Sequence, residues 1–135
     1  TLITDLINEV GGVPEGTRKL VNGGPMMGKA IKNTDVPITK GTSGILVISD
    51  EEASREEPQN CIRCGECVYV CPMGLEPHLL MNLSEKGLYD KAFSEDILTC
   101  IECGSCSYIC PSHRPLLDFI RFGKNIVKNL QNTKN

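Results

Sequence analysis

The chain has 135 residues, of which 40% are hydrophobic and 4% aromatic, and its formal net charge is −3. This length suits one domain or two small ones. Because no apolar run approaches the ~18 residues of a spanning helix, we expect no direct membrane span.

The first fifty residues predict a small unit that mixes helix and sheet. Apolar residues at helical spacing predict a helix from Leu2 to Val10, which Gly11 and Gly12 end. Strands are expected at three places: Lys19 to Asn22, Val36 to Thr39 with Pro37 marking a sheet edge, and Gly44 to Ser49.

The glycines between residues 23 and 28 predict a tight turn rather than a nucleotide site. Their spacing fits neither a dinucleotide fingerprint nor a Walker loop. We expect Met26 and Met27 to be buried beneath this turn. Residues 51–60 follow as an acidic linker, with a helical turn expected around Glu51 to Arg55.

Two copies of one twelve-residue phrase, offset by 39, contain all eight cysteines. The phrases run from Cys61 to Pro72 and from Cys100 to Pro111, and they match at eight of twelve positions. Each has the spacing C-x2-C-x2-C-x3-C-P, which is typical of bacterial two-cluster ferredoxins. The spacing therefore predicts two 4Fe-4S clusters and an electron-transfer function.

The ligand sets are expected to interlock, because in this pattern the fourth cysteine of each phrase ligates the other cluster. Each fourth cysteine lies one helical turn after the third, so a short helix reaches from one cluster to the other. Gly65 and Gly104 let the backbone approach, so that its amides donate to cluster sulfurs. The predicted sets are Cys61, Cys64, Cys67 and Cys110 for cluster 1, and Cys100, Cys103, Cys106 and Cys71 for cluster 2.

Other interpretations of the cysteines fit less well. Disulfides are disfavoured because nothing resembles a signal peptide and because cysteines two residues apart suit ligation better. Zinc sites need four ligands, not eight so regularly placed. Tyr69 and Tyr108 are expected to pack over the clusters and exclude water. For Arg63, Glu66 and Glu102 we favour solvated loop charges over groups that tune the cluster potential or contact a partner.

Helices are expected between and after the phrases. Leu79, Leu80 and Leu83 predict one helix, which Gly87 ends, and Leu88, Ala92 and Phe93 predict a second. Small bacterial ferredoxins have strands here, so the helical insert favours the α-helical two-cluster ferredoxin fold of larger oxidoreductases.

Pro115 opens a third helix at a permitted first position, and its end is expected to fray from Asn132 to Asn135. From Pro111 onward the chain has five basic residues and one acid, against a net −7 elsewhere. We favour a solvated tail at 124–135 over docking onto an acidic partner or a lipid surface, and we expect no nucleic-acid partner.

The motif order resembles the C subunit of the Rnf electron-transport complex, an ion-translocating ferredoxin:NAD oxidoreductase. The motifs are GGPMMG, ITKGTSGILVIS, CIRCGECVYVCPMGL, CIECGSCSYICPS and RPLLDFIRFGK. The resemblance implies an α+β chain: a partial soluble-ligand-binding β-grasp unit at 1–50, an acidic linker at 51–60, a two-cluster α-helical ferredoxin domain at 61–123 and the basic tail at 124–135. It also implies a C-terminal fragment, with FMN and NADH bound only by a missing N-terminal region.

The resemblance implies an electron relay within a membrane-associated complex coupled to ion translocation. The partners would be the other subunits, ferredoxin and the flavin domain, on the cytoplasmic face of the cell membrane. Three alternatives stay open: the electron-transfer part of a flavin-dependent cobalamin reductase, a free two-cluster ferredoxin, and a scaffold whose clusters are only structural.

Overall fold

The computed structural model describes residues 1–53 and 56–134, in two compact units, Thr1–Arg55 and Glu56–Asn135. The first unit contains a three-stranded antiparallel sheet and two short helices. The regular elements in the described part of the second are all helices. The chain therefore combines helix and sheet, as the sequence predicts, and none of its described helices is long and apolar enough to cross a membrane.

In the first unit, the central strand pairs with both others in the order β2-β1-β3. Its apolar core is thin: Ile3, Ile7 and Val21 are the buried hydrophobic residues in its described part. The predicted first helix and the predicted strands at 19–22 and 44–49 are present. The elements are α1 (Ile3–Glu9), β1 (Thr17–Asn22), β2 (Lys29–Ile31), β3 (Ile45–Ser49) and α2 (Asp50–Ala53).

The strand expected at Val36 to Thr39 is wrong, and β2 takes its place in the sheet. Pro37 makes only an isolated bridge with Leu2. The Ile38 amide donates to the Thr1 carbonyl at 3.0 Å, whereas proline has no amide with which to extend a ladder. This segment therefore bonds to the first residues of the chain instead of joining the sheet.

The burial expected for Met26 and Met27 is also wrong, because 45% and 44% of these residues are exposed. The turn itself is tight: the Gly28 amide donates to the Gly24 carbonyl at 2.7 Å. A Cβ at Gly28 would collide with Val21. Backbone rather than methionine side chain thus occupies the space beside Val21. Of the predicted turn at Glu51 to Arg55, residues 51–53 lie in α2, and Ser54 and Arg55 lie outside the described residues.

The second unit packs its longer helices around one apolar core that includes Leu80, Ala92, Ile97, Ile120 and Val127. The helical insert predicted between the cysteine phrases is confirmed, and α4 ends just before Gly87, which has φ +70°. The elements are α3 (Glu66–Tyr69), α4 (Pro77–Glu85), α5 (Tyr89–Ser94), a 3-10 turn (Ile97–Thr99), α6 (Ser105–Ile109) and α7 (Leu116–Lys134).

The last helix follows Pro115 directly and continues beyond the point at which fraying was expected, because α7 includes every residue from Leu116 to Lys134. Asn135 lies outside the described residues. The predicted tail from residue 124 onward is thus the second half of α7. One close contact joins this helix to α4, where a Cβ at Gly123 would lie 2.7 Å from the Ser84 Cβ.

Candidate metal centre

The two cysteine phrases adopt one backbone conformation twice. Arg63 and Glu102 both have φ 57°, and Gly65 and Gly104 have φ 82° and 84°. Left-handed residues two positions apart bend the chain sharply, so each loop curls before a short helix begins. The repeat in sequence is therefore a repeat in local structure.

Each of two cavities in the second unit is lined by four cysteines. The first, which we call the Cys61 cavity, is lined by Cys61, Cys64, Cys67 and Cys110. The second, the Cys100 cavity, is lined by Cys71, Cys100, Cys103 and Cys106. Each cavity thus joins three cysteines of one phrase with the last cysteine of the other, which are the same groups that the spacing predicts.

The donor chemistry of both cavities fits an iron–sulfur cluster, since four thiols are the ligand set of a 4Fe-4S centre. Within residues 1–53 and 56–134, no three His, Cys, Asp or Glu side chains are close enough to hold a single metal ion. Thiolates around a cube of four irons stand farther apart than thiolates around one ion.

Burial separates the cysteines of the two cavities. Cys61 and Cys64 are exposed, whereas Cys106 is buried. Burial raises the pKa of the Cys106 thiol to about 11, and burial also raises the pKa of Cys67 and of Cys100. These thiols are therefore protonated at neutral pH in the absence of metal, so metal binding must release their protons.

Polar groups lie within hydrogen-bond distance of three of the cysteine sulfurs. The Glu102 amide donates to the Cys100 sulfur at 3.4 Å, and the Cys103 sulfur lies 3.5 Å from the Ser105 hydroxyl. This hydroxyl lowers the pKa of Cys103. The His78 Nδ1 lies 3.9 Å from the Cys67 sulfur. His78 was not predicted from the sequence, since a lone histidine eleven residues from the cysteine gives no signal.

Glu102 is not a merely solvated loop charge. Its carboxylate pairs with Arg121 Nε at 2.9 Å and with Lys124 Nζ at 3.2 Å, and 31% of its side chain is exposed. Burial alone would raise the pKa of Glu102, but hydrogen bonds from Lys124 and Arg121 outweigh it and hold that pKa below its usual value. Arg63 and Glu66, in contrast, are exposed as expected.

The two cations that bind Glu102 come from the basic stretch after Pro111, of which residues 124–135 were expected to be a solvated tail. Lys124 also donates to the Cys100 carbonyl at 2.6 Å. Arg121 and Lys124 lie three residues apart on one face of α7, and this spacing is the signal that could have identified them. Part of the basic charge near the C-terminus therefore anchors the second cysteine loop.

The expectation that Tyr69 and Tyr108 cover the clusters is wrong, because they are 89% and 77% exposed. Each tyrosine follows the third cysteine of its phrase by two residues. Two residues correspond to about 200° around a helix, so a turn that aims this cysteine inward aims the tyrosine outward.

The chain resembles known iron–sulfur proteins and subunits of one kind of complex. A family model described as a 4Fe-4S dicluster domain matches residues 53–111. The C subunit of the proton-translocating ferredoxin:NAD(+) oxidoreductase complex of Clostridium ljungdahlii is 47% identical over 125 residues, or 92% of this chain. The C subunit of the Na(+)-translocating ferredoxin:NAD(+) oxidoreductase complex of Acetobacterium woodii is also 47% identical, over 88% of this chain.

A more distant relative has a similar description. The C subunit of the ion-translocating oxidoreductase complex of Methanosarcina acetivorans is 39% identical over 98% of this chain, and the chain covers 30% of that protein. The chain covers 27% of each of the Clostridium and Acetobacterium proteins. It thus spans about a quarter of the length of these curated relatives. The predicted resemblance is confirmed: over nearly its whole length, this chain is related to part of the C subunit of ion-translocating (Rnf-type) oxidoreductase complexes.

Proposed function

We propose that this chain relays single electrons through two 4Fe-4S clusters, one in each cysteine-lined cavity, within an ion-translocating ferredoxin:NAD oxidoreductase complex. The single observation that carries the proposal is the crosswise lining of the cavities. Cys110 joins the first three cysteines at one cavity, and Cys71 joins the second three at the other. A single metal ion needs about four ligands, so two matched sets of four cysteines indicate two centres.

The short helices connect the two cavities directly. In α3, Cys67 lies at the Cys61 cavity and Cys71, four residues later, lines the Cys100 cavity; Cys106 and Cys110 make the reverse connection around α6. When bound, such clusters exchange one electron at a time, whereas a nicotinamide donates two as hydride. The chain's own residues therefore position two one-electron sites within the second unit.

The remaining assignments are inferences from the resemblance to the C subunit of the Rnf complex. We infer a partial β-grasp unit at residues 1–50, the linker at 51–60 and the ferredoxin domain at 61–123, with FMN and NADH bound elsewhere in the whole protein. Its partners would be the other subunits of the complex, ferredoxin and a flavin domain, and its position the inner face of the cell membrane. The Clostridium and Acetobacterium relatives are named for different ions, proton and sodium, so the coupling ion is outside this proposal.

The first experiment counts the clusters. The chain is produced without oxygen in cells able to build such centres, and its iron and acid-labile sulfide are assayed. We expect about eight of each per chain, two one-electron signals in an anaerobic redox titration, and no NADH oxidation. Colourless folded protein would contradict both the relay and a scaffold with structural clusters. Clusters that stay silent across the accessible potentials would contradict the relay and leave the scaffold.

The second experiment tests the crosswise sets. Cys110→Ser should change the spectrum of the cluster that shares Cys61, and Cys71→Ser that of the cluster that shares Cys100. Each variant is the other's matched control, since both alter the last cysteine of a phrase. If Cys110→Ser changes only the cluster that shares Cys100, the ligand assignment is wrong.

A further inference from the structure

Most lining residues of the two cavities correspond at the 39-residue offset, but the linings differ in polarity. Where the Cys61 cavity has His78, Ser112 and Arg114, the Cys100 cavity has apolar side chains. The corresponding pairs are His78 and Leu117, Ser112 and Met73, and Arg114 and Leu75. The cysteines and their loops repeat, so the surroundings are what distinguish the two sites.

His78 makes the most specific of these differences. Its Nδ1 lies 3.9 Å from the Cys67 sulfur, and Leu117 at the matching position has no polar atom to offer Cys106. A cluster-bound thiolate carries no proton, so the imidazole must be the donor. A hydrogen bond to a ligand sulfur stabilises the electron-rich form of a cluster.

Arg114 places a positive charge at the same cavity. Arg114 is half-buried, and its guanidinium donates to the Gln59 carbonyl at 3.5 Å and to the Met81 sulfur at 3.6 Å. At the matching position, Leu75 is 8% exposed and uncharged. Arg63 adds a second, exposed cation to the lining of this cavity.

The Cys100 cavity has no charged residue in its described lining. Outside the lining, the Glu102 amide donates to the Cys100 sulfur, and the Glu102 carboxylate pairs with Arg121 and Lys124, so that these charges partly cancel. Reduction adds one negative charge to a cluster, and an apolar lining disfavours that charge. The same reduction is favoured beside two guanidinium groups, an N–H donor and solvent.

We propose that His78 and Arg114 raise the reduction potential of the Cys61-cavity cluster above that of the Cys100-cavity cluster. An electron shared between the two clusters therefore resides mainly at the more exposed Cys61 site. This inference rests on the proposed function, because it needs both clusters to be present and redox-active.

The test is an anaerobic redox titration of the cluster-loaded chain, monitored by electron paramagnetic resonance. A Cys64→Ser variant identifies the signal of the Cys61 site, because it alters one of that site's ligands. We expect His78→Leu and Arg114→Leu each to lower the equilibrium constant for reduction of this site about tenfold. For a one-electron couple, this is a fall of about 59 mV in its reduction potential. The other couple should keep its potential.

Three further variants sharpen the result. His78→Gln retains an N–H donor and should recover part of the shift. Lys128→Gln removes one exposed positive charge that lines neither cavity and should move neither couple. If Arg114→Leu does not fold, Arg63→Glu is the alternative variant. It changes an exposed residue to the glutamate found at the matching position of the second loop, and it should lower the reduction potential of the same site.

Two kinds of outcome overturn the inference. Fully loaded His78→Leu and Arg63→Glu proteins with unchanged potentials would refute it and leave the relay intact, as would a Cys61 site that proves to be the lower of the two couples. A wild-type chain that assembles no clusters, or shows no couple at all, would refute the relay and this inference together.

Discussion

The helical layer and the cysteine loops of the second unit are held together by different forces. The helical layer, α4, α5 and α7, buries large side chains such as Leu80, Ile120 and Val127, each 1% exposed. The loops, residues 61–71 and 100–110, contribute one buried residue to that core, Cys106, and residues 61–66 are all exposed. Apolar burial of about 1.5–3 kcal/mol per large side chain supports the layer, whereas the loops depend on their ligands.

The loops also differ from each other in how firmly the protein holds them. The second loop is tied to α7 by Glu102 and by the Ser107 hydroxyl, which accepts from the Leu117 amide at 2.8 Å. The first is tied at its start, where the Ser112 hydroxyl donates to the Asn60 carbonyl at 2.9 Å. Cluster binding should therefore order the first loop more than the second.

The largest expected effect is that of removing iron. Chelation under anaerobic conditions should leave the amides of α4 and α7 protected, because their core contains a single buried cysteine, Cys106. Amides of residues 65–70 should lose at least about tenfold in protection, or about 1.4 kcal/mol of local stability, and those of residues 104–109 should lose less. Hydrogen exchange measured by mass spectrometry checks both statements.

Two results would contradict this comparison. Uniform loss of protection across α4 and α7 would mean that the clusters, rather than apolar packing, hold the helical layer. Unchanged protection in both loops would mean that the loops fold without ligands. Reconstitution with iron and sulfide is the control and should restore the original exchange pattern.

A substitution in the helical layer should have the next largest effect. In Gly123→Ala, the new Cβ would lie 2.7 Å from the Ser84 Cβ and 3.2 Å from the Ile97 Cδ1. Overpacking of this kind costs about 1–3 kcal/mol, although alanine favours an ordinary helix by up to ~1 kcal/mol. We expect a lower free energy of unfolding for the cluster-loaded protein, measured by denaturant titration.

Two variants isolate the clash. Asn125→Ala lies on an exposed position of the same helix and should be neutral or slightly stabilising. Ser84→Gly combined with Gly123→Ala removes the opposing side chain and should recover part of the loss. A stabilised Gly123→Ala protein would show that α4 and α7 are not in close contact at this point.

Features set by residues close together in the chain were predictable from the sequence. Three apolar positions within five residues predicted α4, and the 39-residue repeat predicted two matched loops. The ligand sets stay a prediction, supported by the cavity linings. The helices of the second unit could be predicted because each has apolar residues at helical spacing within its own sequence.

Features set by distant residues were not predictable in the same way. Lys29–Ile31 forms a strand because it pairs with the edge of β1. The competing segment contains Pro37, which has no backbone amide to donate to a sheet. The cations that pair with Glu102 lie 19 and 22 positions later, on a helix that includes residues 124–134 of the expected solvated tail. His78 lies near Cys67 because α4, which contains His78, packs beside the first loop.

The smallest expected effect is that of Glu102→Gln, which separates the two loops. The change leaves the mostly buried Arg121 and Lys124 facing an uncharged partner. Partly exposed ion pairs contribute about 1 kcal/mol or less each, so we expect the second loop to lose up to about tenfold in amide protection.

Arg63→Gln is the matched control at the equivalent position of the first loop. Because Arg63 is exposed, that substitution should change local stability by less than about 0.5 kcal/mol. Equal effects of the two substitutions on exchange in their own loops would show that Glu102 does not anchor the second loop to α7, and that the ligands alone hold both.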